Sequence, residues 1–228
     1  MNYSGRHVSL RNLISAASLF LGTVCLFVGI FCWYGTGCVR IEFSETYYLL
    51  VRTCEKTTSA AVVGDVSSSG GAGILYNDHS VVIACYFEEA DALAVCATLT
   101  DRFEVSVMTA RSKPLYLFGK DRECAERIRS NIRTADACAR LLFDTANGLS
   151  NTEYSQEEAT ARVEGVAKAI AGLCIENSAD LFGEWNVCLR AIGDEAHSVA
   201  DGIVFAKNVR TLQTKLCIAV SRASELFS

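Results

Sequence analysis

Between Arg11 and Arg40 the chain carries no charged residue, and that gap restricts the fold more than any other feature of the sequence. Its core, "NLISAASLFLGTVCLFVGIFCWY", runs from Asn12 to Tyr34. About 20 largely apolar residues cross a bilayer as a helix, whereas a buried globular helix usually keeps a polar edge. Residues 12–34 therefore read as a transmembrane anchor. Trp33 and Tyr34 fall where an aromatic belt would lie. A cleaved leader has a shorter apolar region ending in small residues, and here the run ends in Phe31, Trp33 and Tyr34. Arg6 and Arg11 precede the segment and only Arg40 follows it closely. The positive-inside rule then puts residues 1–11 in the cytoplasm and the remainder outside, a single-pass protein of the cell membrane.

Charge narrows the partners. Up to residue 40 there is no acid, so all 26 Asp and Glu lie beyond it, against 21 Lys and Arg less the three arginines already named. That surface is more acidic than the net −5 of the whole chain. It repels phosphate backbones, so nucleic acid is not an expected partner. Cysteine is abundant, with 11 residues. No CxxC occurs, which removes the signature of zinc ribbons and thioredoxin-like redox sites. Most of these thiols fall at apolar positions of expected helices, as small hydrophobes do.

Residues 35–45 read as a linker, residues 46–113 as a small mixed domain and residues 114–228 as a helical extension. In the mixed domain "YYLLV" (Tyr47 to Val51) has strand composition. "EKTTSAAVVGDV" is a weak helix ending near Gly64, and "SSSGGAG" is a turn-rich connector. "GILY" and "HSVVIACYF" flank Asn77-Asp78 as a hairpin. A helix with an acidic start (Glu88, Glu89, Asp91) follows, where the helix dipole favours acids. "EVSVMTA" closes the block, giving the order β-α-β-β-α-β. Beyond Pro114, the only proline, the pattern is helical. Ile128, Ile132, Ala135, Ala139 and Leu142 recur at helical spacing, as do Val163, Val166, Ile170 and Leu173. Ser155 and Glu158 form a capping-box signature. A third, longer stripe runs from Trp185 to Phe227. Short breaks between the stripes point to antiparallel neighbours in a three-helix bundle or coiled coil.

Chemistry is not conspicuous. "GGAG" precedes a strand and lacks the Gly-Lys-Ser/Thr of a phosphate-binding loop. His79 and Cys85 lie about 20 Å apart along one strand. The carboxylates are scattered. No catalytic residue, no cofactor and no metal ligand set is expected, and the chain does not read as an enzyme.

Residues 47–110 resemble a SPOR domain, the sporulation-related repeat that binds peptidoglycan. The resemblance rests on "YYLLV", "GGAGILYNDHSVVIACYFEEADALAV" and "FEVSVMTA". It implies an α+β protein in three parts: an N-terminal transmembrane helix, a ferredoxin-like β-α-β-β-α-β domain, and an all-helical C-terminal bundle. The implied function is a membrane-anchored envelope protein of sporulation or cell division that holds peptide-stripped peptidoglycan glycan strands. Family members carry a Gln followed closely by a Gly on the first strand, whereas this chain has Leu50 or Val51, then Arg52 or Thr53. Strand alternation would turn Leu49 and Val51 toward the helices and leave Tyr48, Leu50 and Arg52 outward, with Val82, Ala84 and Tyr86 beside them. Tyr48, Arg52 and Tyr86 are then the expected glycan-binding residues, rings for sugar faces and a guanidinium for a muramic carboxylate. The alternative is a non-enzymatic scaffold of an envelope complex, with a degenerate SPOR-like domain and a protein partner held through the helical region.

Overall fold

The computed structural model describes residues 22–28, 37–174 and 180–227. In chain order its strands and helices are β1 (Cys38–Ile41), β2 (Tyr47–Thr53), α1 (Ser59–Ser68), β3 (Ile74–Asn77), β4 (Ser80–Tyr86), α2 (Glu89–Leu99), β5 (Val105–Ala110) and β6 (Leu115–Phe118). Then come α3 (Ala125–Ser150), α4 (Gln156–Leu173), α5 (Gly183–Ala200), α6 (Ala206–Ser221) and α7 (Ala223–Leu226), with 3-10 turns at Gly119–Cys124 and Asp180–Phe182. The chain divides into two compact units, Met1–Arg40 with Tyr116–Ala125, and Ile41–Leu115 with Glu126–Ser228.

The expected spanning helix at 12–34 is corrected here. Residues 22–28 are helical and exposed, and the rest of that stretch lies outside the described residues. Among the described residues no helix is long and apolar enough to cross a membrane. The architecture is α+β with two small sheets. One is the two-stranded pair β1-β6, which the sequence reading had assigned to linker and boundary. Within this smaller unit Arg40 sits 6.0 Å over the Tyr116 ring.

The larger unit is built on the second sheet, in the order β3-β4-β2-β5 with every pair antiparallel. Asn77 makes the hairpin turn, its side-chain oxygen accepting from the His79 amide at 2.9 Å. On the way into β3 the backbone of Gly73 takes φ +61°, and a Cβ there would collide with Ser67 Oγ and stand 2.9 Å from the Val63 carbonyl. Only glycine satisfies both demands. In β2, Tyr48 lies opposite Tyr86 and Thr109, and Leu50 opposite Ala84 and Val107. The β2–β4 register then shifts between Leu50 and Val51.

Both faces of this sheet are covered. Leu50, Tyr86 and Val105 pack with Ala92 of α2 in one core cluster, with Val95, Cys96 and Leu99 against it. On the opposite face the Tyr47 hydroxyl donates to Asp136 Oδ1 of α3 at 2.8 Å, and Gln213 of α6 donates to the Cys85 carbonyl at 3.3 Å. The helices beyond Pro114 are thus a layer of the same body as the sheet, which corrects the expected separate bundle. The driving force is visible in β2, where Leu49, Leu50 and Val51 are all buried. A strand apolar on both sides requires cover on both.

Within the helical layer α4 and α5 pack along their lengths. Ser155 Oγ accepts from the Glu158 amide at 3.2 Å, and the Glu158 carboxylate accepts from the Ser155 amide at 3.1 Å. The third stripe is not one helix but α5, α6 and the short α7, with its main break at 201–205. Gln156 clamps that break like a backbone partner, donating to the Val204 carbonyl and accepting from its amide, both at 3.1 Å. Trp185, Phe182 and Phe227 form a buried aromatic cluster, with Trp185 and Phe227 centroids 4.8 Å apart.

Candidate functional site

Three places in the larger unit hold side chains that could act on something other than the fold. The first is the surface expected from the sequence. Tyr48 and Tyr86 are cross-strand neighbours, and Arg52 lies on the same face two pairs along. That face lies under α1 and α2, so the expected facing is inverted. Leu49 and Val51 point to the C-terminal helices, and Tyr48, Leu50 and Arg52 to the helices of the β-α-β-β-α-β block.

Tyr86 is 8% exposed, and its ring meets Phe143 of α3 edge-on at 6.4 Å. Burial pushes its phenol above the ordinary value, with Arg210 opposing the shift. Tyr48 is half-buried against the same cluster. Arg52 pairs with Asp65 of α1 and lies 4.5 Å over the Phe103 ring. Below it a cavity of about 130 Å³ is lined by Val66, Gly71, Ile83 and Leu99. Pockets that enclose small organic ligands run from about 300 Å³ upward, so this cavity is smaller than such pockets.

The second place is a buried polar cluster behind the sheet. Tyr47 is fully buried, and its hydroxyl bonds Asp136, which also accepts from Arg140 at 2.9 Å. Burial, with the nearby Cys217 and Asp136, drives the Tyr47 phenol far above its usual range. Cys217 is fully buried and contacts Gln213. The cluster's buried donors and acceptors satisfy one another, with Arg140 reaching solvent at the edge. Sequence reasoning missed it because its members come from β2, α3, β4 and α6, and pattern within one element cannot pair them.

The third is a groove of about 350 Å³ between edge strand β3 and helices α5 and α6. Ile74, Leu75, Ala191, Ile192, Ile218 and Leu226 make it apolar, and the Lys215–Glu195 ion pair lies in its wall. Leu75 is 47% exposed. Among the described residues β3 pairs only with β4, so its outer backbone edge is unpaired within the sheet. Isolated exposed leucines are ordinary; this one lies beside an open strand edge and an apolar groove.

Among the described residues no group of three or more His, Cys, Asp or Glu is placed to hold a metal ion. Comparison with known protein families, with characterised proteins and with solved structures finds no match for this chain. Nothing in these comparisons identifies residues 47–110 as a SPOR domain.

Proposed function

We propose that the chain is a non-enzymatic interaction scaffold whose working surface is the β3 edge and its groove, occupied by an extended, apolar segment of a partner protein. One observation carries this reading. The groove sets a free strand edge beside an apolar trough, and an added strand would gain main-chain hydrogen bonds from the first and side-chain burial from the second. The glycan-gripping alternative needs Tyr48, Arg52 and Tyr86 on an open surface, and in this fold Tyr86 is interior and Arg52 is paired. Under this proposal the SPOR-like stretch is a platform that has kept the order of elements without the groove. An extracytoplasmic, envelope setting is carried by the resemblance, and a reporter fused after Ser228 checks it.

The test uses the purified full chain. Extended peptides selected from a display library should lose at least about tenfold in affinity to Leu75→Arg, with the unfolding midpoint unchanged. The chain should not sediment with amidase-stripped sacculi. Saturable co-sedimentation that is lost in Arg52→Ala would overturn the proposal, as would peptides that bind Leu75→Arg as well as the parent.

A further inference from the structure

Helix α6 meets strand β4 at two thiols that the proposed working surface does not use. Cys85, opposite Leu49 on the α6-facing side of the sheet, is 2% exposed, and Cys217 is fully buried. Gln213 precedes Cys217 by four residues, so both side chains lie on one face of α6. Its amide nitrogen lies 3.3 Å from the Cys85 carbonyl oxygen and 3.3 Å from Cys217 Sγ. Cys85 is also among the neighbours that hold the Cys217 thiol above its ordinary value. Gln213 is itself 1% exposed, so the three side chains form a sealed contact between the inner strand β4 and the helix that covers it.

We propose that Cys85 and Cys217 are a redox pair that closes into a disulfide, stapling α6 to the sheet. Two thiols held in one buried seam by the same glutamine differ from a disulfide only by two protons and two electrons. A small-molecule disulfide of the glutathione class takes the electrons. One cysteine thiolate attacks a sulfur of the oxidant and expels the first small thiol. The other cysteine attacks the protein-side sulfur of the mixed disulfide and expels the second. One S–S bond forms as one breaks, and the two protons end on the two released thiols. In the closed fold burial holds the Cys217 thiol far above its ordinary value, so its sulfur stays protonated, and both cysteines are out of reach of solvent. Exchange therefore runs through opening of α6 from the sheet, or on the nascent chain before the helix docks. The loop it closes spans most of the larger unit, so the cross-link chiefly restricts the unfolded chain.

The purified full chain is equilibrated in glutathione buffers of rising oxidised-to-reduced ratio, with urea below the unfolding transition, then acid-quenched, alkylated and mapped by peptide mass. The expected result is one linked peptide pair containing Cys85 and Cys217. It should form at a more reducing ratio than that at which half-buried Cys54 or Cys96 takes up glutathione. The urea midpoint of the oxidised chain should rise, and the rise should vanish in Cys217→Ala. If that variant does not fold, Cys85→Ala serves the same comparison, and the parent's peptide map decides alone. Cys85 and Cys217 recovered as free thiols at every ratio, or linked to other cysteines, overturns the proposal. So does an equal midpoint rise in the variant.

Discussion

Replacing Tyr86 with alanine separates the two readings of the β2–β4 surface. On an open sheet face the change would remove a stacking ring and leave stability nearly untouched. In this fold Tyr86 is 8% exposed, faces Tyr48 across the strand pair, and packs with Leu50, Ala92 and Val105. Truncating a buried aromatic to alanine costs about 3–5 kcal/mol, through lost burial and the cavity left behind. Part of that, about 0.5–1.5 kcal/mol, belongs to the edge-on contact with Phe143. Since single domains are stable by about 5–15 kcal/mol, Tyr86→Ala should lose a large share of the total or fail to fold. Tyr86→Phe keeps the ring and should shift stability by less than about 1 kcal/mol. Urea unfolding followed by circular dichroism and by tryptophan fluorescence measures both, and agreement between the probes tests for one transition. A Tyr86→Ala protein within about 0.5 kcal/mol of the parent would refute the burial argument, because only surface positions are that tolerant.

Arg52→Ala should cost less than about 1 kcal/mol, because its partner Asp65 is 53% exposed and the Phe103 contact adds little; a loss of several kcal/mol in urea unfolding would contradict this. Ser155→Ala removes the cap of α4 and should cost about 1 kcal/mol, with Ser155→Asp restoring most of it in the same assay. Stability should fall at alkaline pH. The phenols of Tyr47 and Tyr86 are raised by burial above their ordinary value of 10.0. Above that pH the unfolded chain releases protons that the folded chain keeps, so stability complete below pH about 10 is lost as pH rises. A urea midpoint that stays flat from neutrality to strongly alkaline pH in the parent, or falls as steeply in Tyr47→Phe, would contradict the assignment.

Local structure was legible wherever one element carries its own signal. The Asn77-Asp78 turn, the acidic start of α2, the helical spacing of α3 and α4, and the Ser155–Glu158 box all depend on residues within a few positions of each other. Facing was not legible. Leu49, Leu50 and Val51 are apolar in succession, so a period of two cannot say which side meets which helices. The register shift beside Ile83 then changes the parity of β4 within the strand. The break at 201–205 escaped notice because Ile203 and Phe205 extend the apolar stripe while Gln156, distant in sequence, holds the turn. The run at 12–34 has the hydropathy of a spanning segment, and of it only residues 22–28 are among the described residues. Tyr48 and Tyr86 could be placed on one sheet face from sequence by strand alternation, and the β2–β4 register sets them opposite each other. Their cover could not, since α2 and Phe143 reach them only through tertiary packing.

Hydroxyl-radical footprinting of Tyr48 and Tyr86 in the full chain, with and without amidase-stripped glycan strands, tests most directly whether this sheet face is interior. The fold predicts that Tyr86 is oxidised at a small fraction of the rate of exposed Tyr116, and that glycan leaves both β-strand tyrosines unchanged. A Tyr86 that oxidises as fast as Tyr116 in the free chain, and is protected when glycan is added, would contradict the account.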